Sequence, residues 1–294
     1  MNELQITKLS TKTIHPRLVQ SNCYHYGDYI AYLGASWPDD VPQPIEVPPN
    51  YIAITVPCYM LKHHLKTMAD QDVRFYLNGV YFDLEEKNLV SIDGHTMITS
   101  KIEHDGAPVN FILPRDFVCA LVKQYSNKQP IRLLWFGNNY VRVDFSNGIM
   151  QSRTIDAQYP PYKSLLPSFA ELRDCCYTID KHAIAYIKTE LKKAEHARKA
   201  QQEKPAKYYT LCINGFNQSS IQLLSKFSEH ELHPIVTEGT GARDKGVLVP
   251  VHINAEYMLR FWTGENITLT PKNGFTSLYI ESGGDSGVIM PLRQ

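Results

Sequence analysis

The chain carries no surplus of charge: 30 Lys plus Arg balance 30 Asp plus Glu. A uniformly basic surface is excluded, and any contact with nucleic acid has to come from local clustering of cations. Paired C-x-x-C is absent. The six cysteines are Cys23, Cys58, Cys119, Cys175, Cys176 and Cys212, several among apolar neighbours as in Phe117-Val118-Cys119-Ala120-Leu121. They read as reduced, buried thiols and argue against a zinc site. No apolar run approaches membrane-spanning length, and Met1-Asn2-Glu3-Leu4-Gln5 lacks the basic start of a secretory signal. A cytoplasmic protein without a membrane partner is expected. Catalytic signatures are missing too. There is no G-x-S-x-G and no H-E-x-x-H. Gly239-Thr240-Gly241-Ala242-Arg243-Asp244-Lys245-Gly246 lacks the G-x-x-x-x-G-K-[ST] spacing and reads as a loop between strands. His63 and His64 are adjacent and point to different helix faces, and Asp93-Gly94-His95 reads first as a turn. No catalytic residue, metal or cofactor is expected, and a hydrolase or nuclease would need a carboxylate cluster that the chain does not offer.

What is present is an ordinary globular composition, 43% hydrophobic and 20% charged over 294 residues, enough for two or three domains. Residues 1–50 stand apart. Their proline density, as in Trp37-Pro38-Asp39-Asp40-Val41-Pro42-Gln43-Pro44 and Val47-Pro48-Pro49, marks a linker or irregular arm, with a short hairpin around Tyr24 to Leu33. Ile52, Ile54 and Val56 alternate as in a strand, and Pro57 suits the first position of a helix with Met60, Leu61, Leu65 and Met68 on its apolar face. Strand patterns follow at 73–84, 88–93 and 96–103, then a helix from Pro114 to about Tyr125 and strands at 130–136, 139–145 and 148–156. The order then repeats. Asp180 caps a helix from Lys181 to about Glu203 with the apolar stripe Ile184, Ile187, Leu191 and Ala194. Strands are expected at 207–214, 219–226, 231–237 and 246–252, a helix over Ala255–Trp262, and strands at 266–270, 275–281 and 286–291. The whole predicts an α+β chain of two similar domains, 51–170 and 171–294, behind a 1–50 arm.

Two patterns bear on binding. In the helix at 181–203, Lys181, Lys188, Lys192 and Lys199 are seven, four and seven apart and share a face, with Lys193, Arg198 and Lys204 beside them. Lys62, Lys66, Lys123 and Arg260 fall on the other three helices. From the residues alone this is a solvated helix face. Likewise Phe75 and Tyr76 read either as strand core or as rings exposed for stacking.

Gln71-Asp72-Val73-Arg74-Phe75-Tyr76-Leu77-Asn78-Gly79, continuing to Ser91-Ile92-Asp93-Gly94-His95, resembles the VRYYLNG and TDGHR segments of the bacterial sliding clamp family, the β subunit of DNA polymerase III. Ile155-Asp156-Ala157-Gln158-Tyr159-Pro160-Pro161-Tyr162 is similar to the family's DGxFPDY segment. Val288-Ile289-Met290-Pro291-Leu292-Arg293 is similar to its VVMPMR terminus. The three occur in the family's order and cover its second and third domains, without the first. The resemblance implies DNA-clamp domains, each with antiparallel sheets outside and two helices lining a DNA channel. It implies a processivity factor with no catalytic site of its own, classed with DNA polymerase by association. Gln71, Arg74, Phe75 and Tyr76 would then contact double-stranded DNA without sequence preference, and the helix cations would track its phosphates. DNA polymerase and the clamp loader would bind by short peptides. Their pocket would use Leu77, Gly94, His95, Met97, Pro160, Leu165, Val288, Met290, Pro291, Leu292 and Arg293.

The departures are specific. Thr96 and Ser164 stand where the family has arginines, Pro161 replaces an aspartate, and Phe75 replaces a tyrosine, so a pocket poorer in cations and a changed partner repertoire are expected. With two domains per chain, a ring of the family's size needs three copies, and a homotrimer is favoured. The alternative is a clamp-like protein that does not close into a ring and holds clamp partners as a decoy or regulator.

Overall fold

The computed structural model describes residues 17–20, 23–26, 29–33, 43–104, 109–137, 139–145, 148–166, 175–200, 209–213, 220–225, 235–236, 238–241, 251–271 and 277–292. Three short strands come first: β1 (Arg17–Gln20), β2 (Cys23–Tyr26) and β3 (Tyr29–Leu33). They form an antiparallel meander whose last strand pairs with β11 (Gly148–Arg153), Leu33 opposite Gly148 and Tyr29 opposite Ser152. This corrects the expectation of an arm apart from the first domain. The expected hairpin around Tyr24 to Leu33 is present as β2 and β3, and its second strand joins a sheet through β11. The sheet runs β1-β2-β3-β11-β10-β9-β4, with β4 (Ile52–Pro57), β9 (Pro130–Phe136) and β10 (Tyr140–Phe145).

The chain divides into two units, one of residues 1–91 and 102–159, the other of 92–101 and 160–294. In the first, β4 leads into α1 (Cys58–His64). Pro57 is the residue before the helix, φ −66° and ψ 141°, not its first turn. Proline offers no capping side chain, so the N–H groups of Cys58 and Tyr59 donate to the carbonyls of Gln129 and Asn127, each at 2.9 Å. A second helix, α2 (Arg115–Leu121), follows β8 (Asn110–Pro114). Strand β5 (Gly79–Asp83) pairs antiparallel with β8 and with β6 (Asn88–Ile92). The core fills with Ile54, Val56, Leu61, Val80, Phe82, Leu89, Phe111, Leu113, Phe117, Leu121, Ile131, Leu133 and Met150. Cys58 and Cys119 are free thiols, and burial pushes the Cys58 thiol up from its ordinary pKa.

The second unit holds β7 (Thr96–Lys101), β12 (Cys175–Ile179), β16 (Glu238–Gly241), β18 (Ile267–Pro271), β19 (Leu278–Ser282) and β20 (Asp285–Ile289) in one antiparallel arrangement, β16-β12-β18-β19-β20-β7. A four-stranded sheet orders β15 (Ile235–Val236), β14 (Ser220–Ser225), β13 (Tyr209–Ile213) and β17 (Val251–Asn254). The glycine-rich segment expected as a loop enters β16 through Gly239–Gly241; residues 242–246 lie outside the described residues. Helix α3 (Lys181–Ala200) is capped as expected, with Asp180 Oδ1 accepting from the N–H of His182 at 2.7 Å and of Ala183 at 2.9 Å. Asn254 does the same for α4 (Ala255–Arg260), accepting from Glu256 N–H at 2.9 Å. Ile184, Ile187 and Leu191 of α3 join Met258, Phe261, Ile267, Leu269 and Ile280 in the core. Each unit therefore has two described helices on antiparallel sheets.

Candidate nucleic-acid and peptide surfaces

After α1 the chain makes a loop tied at its neck. Ala69 N–H donates to the Leu77 carbonyl at 3.1 Å. Asp72 and Asn78 exchange hydrogen bonds, Asp72 N–H to Asn78 Oδ1 at 3.0 Å and Asn78 Nδ2 to the Asp72 carbonyl at 2.9 Å. This side-chain exchange competes with ladder pairing, so the strand expected over 73–84 begins only at Gly79. Residues Phe75–Leu77 form a single 3-10 turn. Gln71 has φ +56°, a left-handed backbone uncommon outside glycine. Leu77 turns inward, 2% exposed, while Val73 is 96% and Phe75 56% exposed. Phe75 and Tyr76 are thus not strand core; their rings meet edge-on at 6.0 Å.

Arg74 is gripped by Asp72, its Nε 3.0 Å from Oδ1 and its Nη2 2.8 Å from Oδ2. The guanidinium and the Arg74 N–H hold the Asp72 carboxyl at about 2, well below its usual 3.8. The cation expected to meet phosphate is already matched by a carboxylate. The D-x-R spacing was the signal for this, but the partnership was not foreseen.

In the second unit a turn at 93–96 carries the other site. Asp93 Oδ1 accepts from His95 N–H at 2.8 Å, Thr96 N–H at 2.7 Å and Thr96 Oγ1 at 3.1 Å, with Gly94 at φ +88°. Its other oxygen pairs with Arg260 Nη1, which also donates to Thr96 Oγ1 at 3.1 Å. The Arg260 guanidinium lies 4.5 Å over the Tyr257 ring, and the His95 ring stacks on Tyr257 at 5.6 Å. Strand β20 ends here, Val288 opposite Met97, and Met290 N–H donates to the His95 carbonyl at 2.9 Å. Of the expected pocket residues, Gly94, His95, Leu165 and Met290 are exposed; Pro160, Pro291 and Leu292 are half-buried; Met97 and Val288 are buried; Leu77 belongs to the first unit. Arg293 lies outside the described residues. Tyr257 and the role of Arg260 were missed because their partners lie far away in sequence.

The expected DNA-facing cations divide in two. Lys181, Lys188, Lys192 and Lys199 are exposed along α3; Lys188 lies 5.0 Å over the Trp262 ring and Lys199 reaches Glu195 at 3.9 Å. Lys193 is drawn to Glu190 at 2.7 Å, which raises its pKa. Lys204 and the side chain of Arg198 lie outside the described residues. Lys66 and Lys123 are exposed. Lys62 is half-buried and bonded to Asn127 Oδ1 at 2.6 Å and the Tyr125 carbonyl at 3.4 Å. Arg260, expected among the DNA-facing cations, pairs with Asp93 and donates to Thr96 Oγ1. No group of three or more metal-ligating side chains occurs among the described residues, and no helix among them is long and apolar enough to cross a membrane.

Residues 61–161 match the family model for the central domain of the DNA polymerase III beta subunit. The structure aligns with DNA polymerase III subunit beta from Borrelia burgdorferi, solved in complex with a natural product, at TM-score 0.64 and 22% identity over 85% of this chain and 67% of that one. It aligns with the Thermotoga maritima beta subunit at TM-score 0.64 and 18% identity, over 92% of this chain and 76% of that one. The fold is that of the bacterial sliding clamp. In sequence, the chain resembles the beta sliding clamp of Buchnera aphidicola, 29% identical over 233 residues, or 76% of this chain and 58% of that one. The sliding clamp of Haemophilus influenzae is 28% identical over 239 residues, or 77% and 60%. The chain thus spans about three-fifths of the length of these two sliding clamps.

Proposed function

We propose that the chain is a DNA polymerase processivity factor: it surrounds duplex DNA together with further copies of itself and tethers a polymerase through a peptide site. The observation that carries this is the row of exposed lysines on α3, borne on a sliding-clamp fold. A sliding contact needs phosphate attraction without base reading, and lysines at seven, four and seven residues on a long helix supply it. The exposed His95, Leu165 and Met290, with Pro160, Pro291 and Leu292 beside them in sequence, offer apolar surface of the kind that holds a short peptide with apolar anchors. The DNA polymerase and the clamp loader are the partners proposed for it. Two units per chain favour a trimer for a closed ring.

The test is topological. The protein is loaded onto nicked circular plasmid, isolated by gel filtration, and the plasmid is then cut once. Retention on the circle and loss on cutting is the expected result; equal retention on both forms would refute encirclement.

One observation favours a second reading. The β1–β3 meander occupies the edge of β11, so a neighbouring copy has to add at β1 or elsewhere. If neither happens, the chain is a non-ring protein that engages clamp partners. Light scattering across a concentration series separates the two: a persistent monomer selects the second.

A further inference from the structure

We propose that Arg260 is the positioning residue of the peptide surface in the second unit, and that the surface it builds selects apolar rather than acidic peptides. This rests on the peptide-site reading above. Asp93 spends one oxygen on the turn itself, accepting from His95 N–H, Thr96 N–H and Thr96 Oγ1. Its second oxygen carries the remaining charge into a partly buried place, with 16% of the side chain exposed, and Arg260 from the end of α4 meets it there. The same guanidinium covers Tyr257, on which the His95 ring stacks. The His95 carbonyl in turn receives the Met290 N–H.

One side chain therefore holds the turn, the aromatic platform and, through the turn, the end of β20. The two exposed groups, His95 and Met290, have their backbone positions set by it. Thr96 stands where the resemblance expects an arginine. Arg260 brings a cation to that residue from another element, but Asp93 neutralises it. The finished surface is an imidazole, a phenol ring and a thioether around a matched ion pair. Such a surface accepts aliphatic and aromatic anchors, and its described cation, Arg260, is already matched by Asp93 rather than offered to an acidic side chain.

The experiment titrates a fluorescein-labelled peptide with leucine and phenylalanine anchors into the parent chain, Arg260→Ala, Arg260→Lys and Met290→Ala, well below the melting temperature of each. A matched peptide carries glutamates in place of the anchors' neighbours. Amide spectra of residues 93–97 and 290 are recorded for the parent and Arg260→Ala. Arg260→Ala is expected to weaken the apolar peptide about tenfold and to shift or broaden the amides of His95, Thr96 and Met290. Arg260→Lys should fall between, since an ammonium keeps the charge but loses the planar fork and the stack. The glutamate peptide should bind no more tightly than the apolar one. Undiminished peptide binding by Arg260→Ala, or unchanged amides at 95, 96 and 290, would overturn the positioning role while leaving the peptide site in place. Tighter binding of the glutamate peptide overturns the selectivity. If the parent chain and Met290→Ala both fail to bind, the peptide-site reading falls and this proposal with it, whatever the amides show.

Discussion

Asp72 holds Arg74 through both carboxylate oxygens, at 3.0 and 2.8 Å, two residues away on the same loop. The loop that presents Val73 and Phe75 to solvent is thereby locally neutral. Removing the acid takes this matching charge away from the base. Asp72→Asn is expected to tighten binding to duplex DNA and to steepen the dependence of log K on log salt by about 0.9, the value of one added phosphate contact. Arg74→Ala in the parent background should leave the slope nearly unchanged. Fluorescence anisotropy over a salt series measures both; a slope that drops by a full contact in Arg74→Ala would mean that the pair opens on DNA.

The same pair fixes a pH dependence. The Asp72 carboxyl is depressed from 3.8 to about 2, first by the Arg74 side-chain hydrogen bonds and then by the Arg74 N–H. A carboxylate lowered on folding stabilises the folded form at pH above its unfolded value and loses that contribution as pH falls through its folded value. The loop should stay ordered from neutral pH down past 3.8 and loosen only near 2. The Arg74 amide, followed by nuclear magnetic resonance, should titrate with a midpoint near 2. A midpoint at the ordinary aspartate value would show that the pair does not form in solution.

The lysines of α3 and Lys62 should behave differently. Lys192 is exposed on the face shared with Lys181, Lys188 and Lys199, so Lys192→Ala is expected to lower the salt slope by about 0.9 with stability changed by less than about 0.5 kcal/mol. Lys62 bonds to Asn127 and Tyr125. Lys62→Ala should lower the melting temperature and leave the slope alone. Paired melting and salt-titration curves decide, and a reversed pattern would move the DNA-facing surface from α3 to α1.

Much of the architecture was legible because hydrophobic period is a local property. Ile52, Ile54 and Val56 announced β4, and Ile184, Ile187 and Leu191 announced the buried stripe of α3. The lysine spacing on α3 was equally readable. What escaped depended on partners distant in sequence or on side chains that bond their own backbone. The pairing of Arg260 with Asp93 joins residues 167 apart. The Asp72–Asn78 exchange replaced the first residues of an expected strand. The hairpin around Tyr24 to Leu33 was legible, but its pairing with β11, more than a hundred residues further along the chain, was not.

Buried polar contacts give the last prediction. Ser91 Oγ lies between Thr67 Oγ1, with which it forms a short hydrogen bond, and His64 Nδ1 at 2.8 Å. All three residues are fully buried. The hydroxyl ties the last residue of α1, and the turn after it, to β6, so it supports the start of the 70–78 loop from beneath. Ser91→Ala removes a partner from two buried polar groups at once and should cost about 1–3 kcal/mol. Ser91→Thr keeps the hydroxyl but adds a methyl group to a closed core, which carries its own cost of about 1–3 kcal/mol. Ser91→Cys weakens the hydrogen bonds and puts a larger sulfur in place of the oxygen, so it should cost at least as much as Ser91→Ala. Urea unfolding of the three variants, read at constant m-value, separates the two effects. Wild-type stability in Ser91→Ala would show that the hydroxyl is not what holds α1 to the sheet.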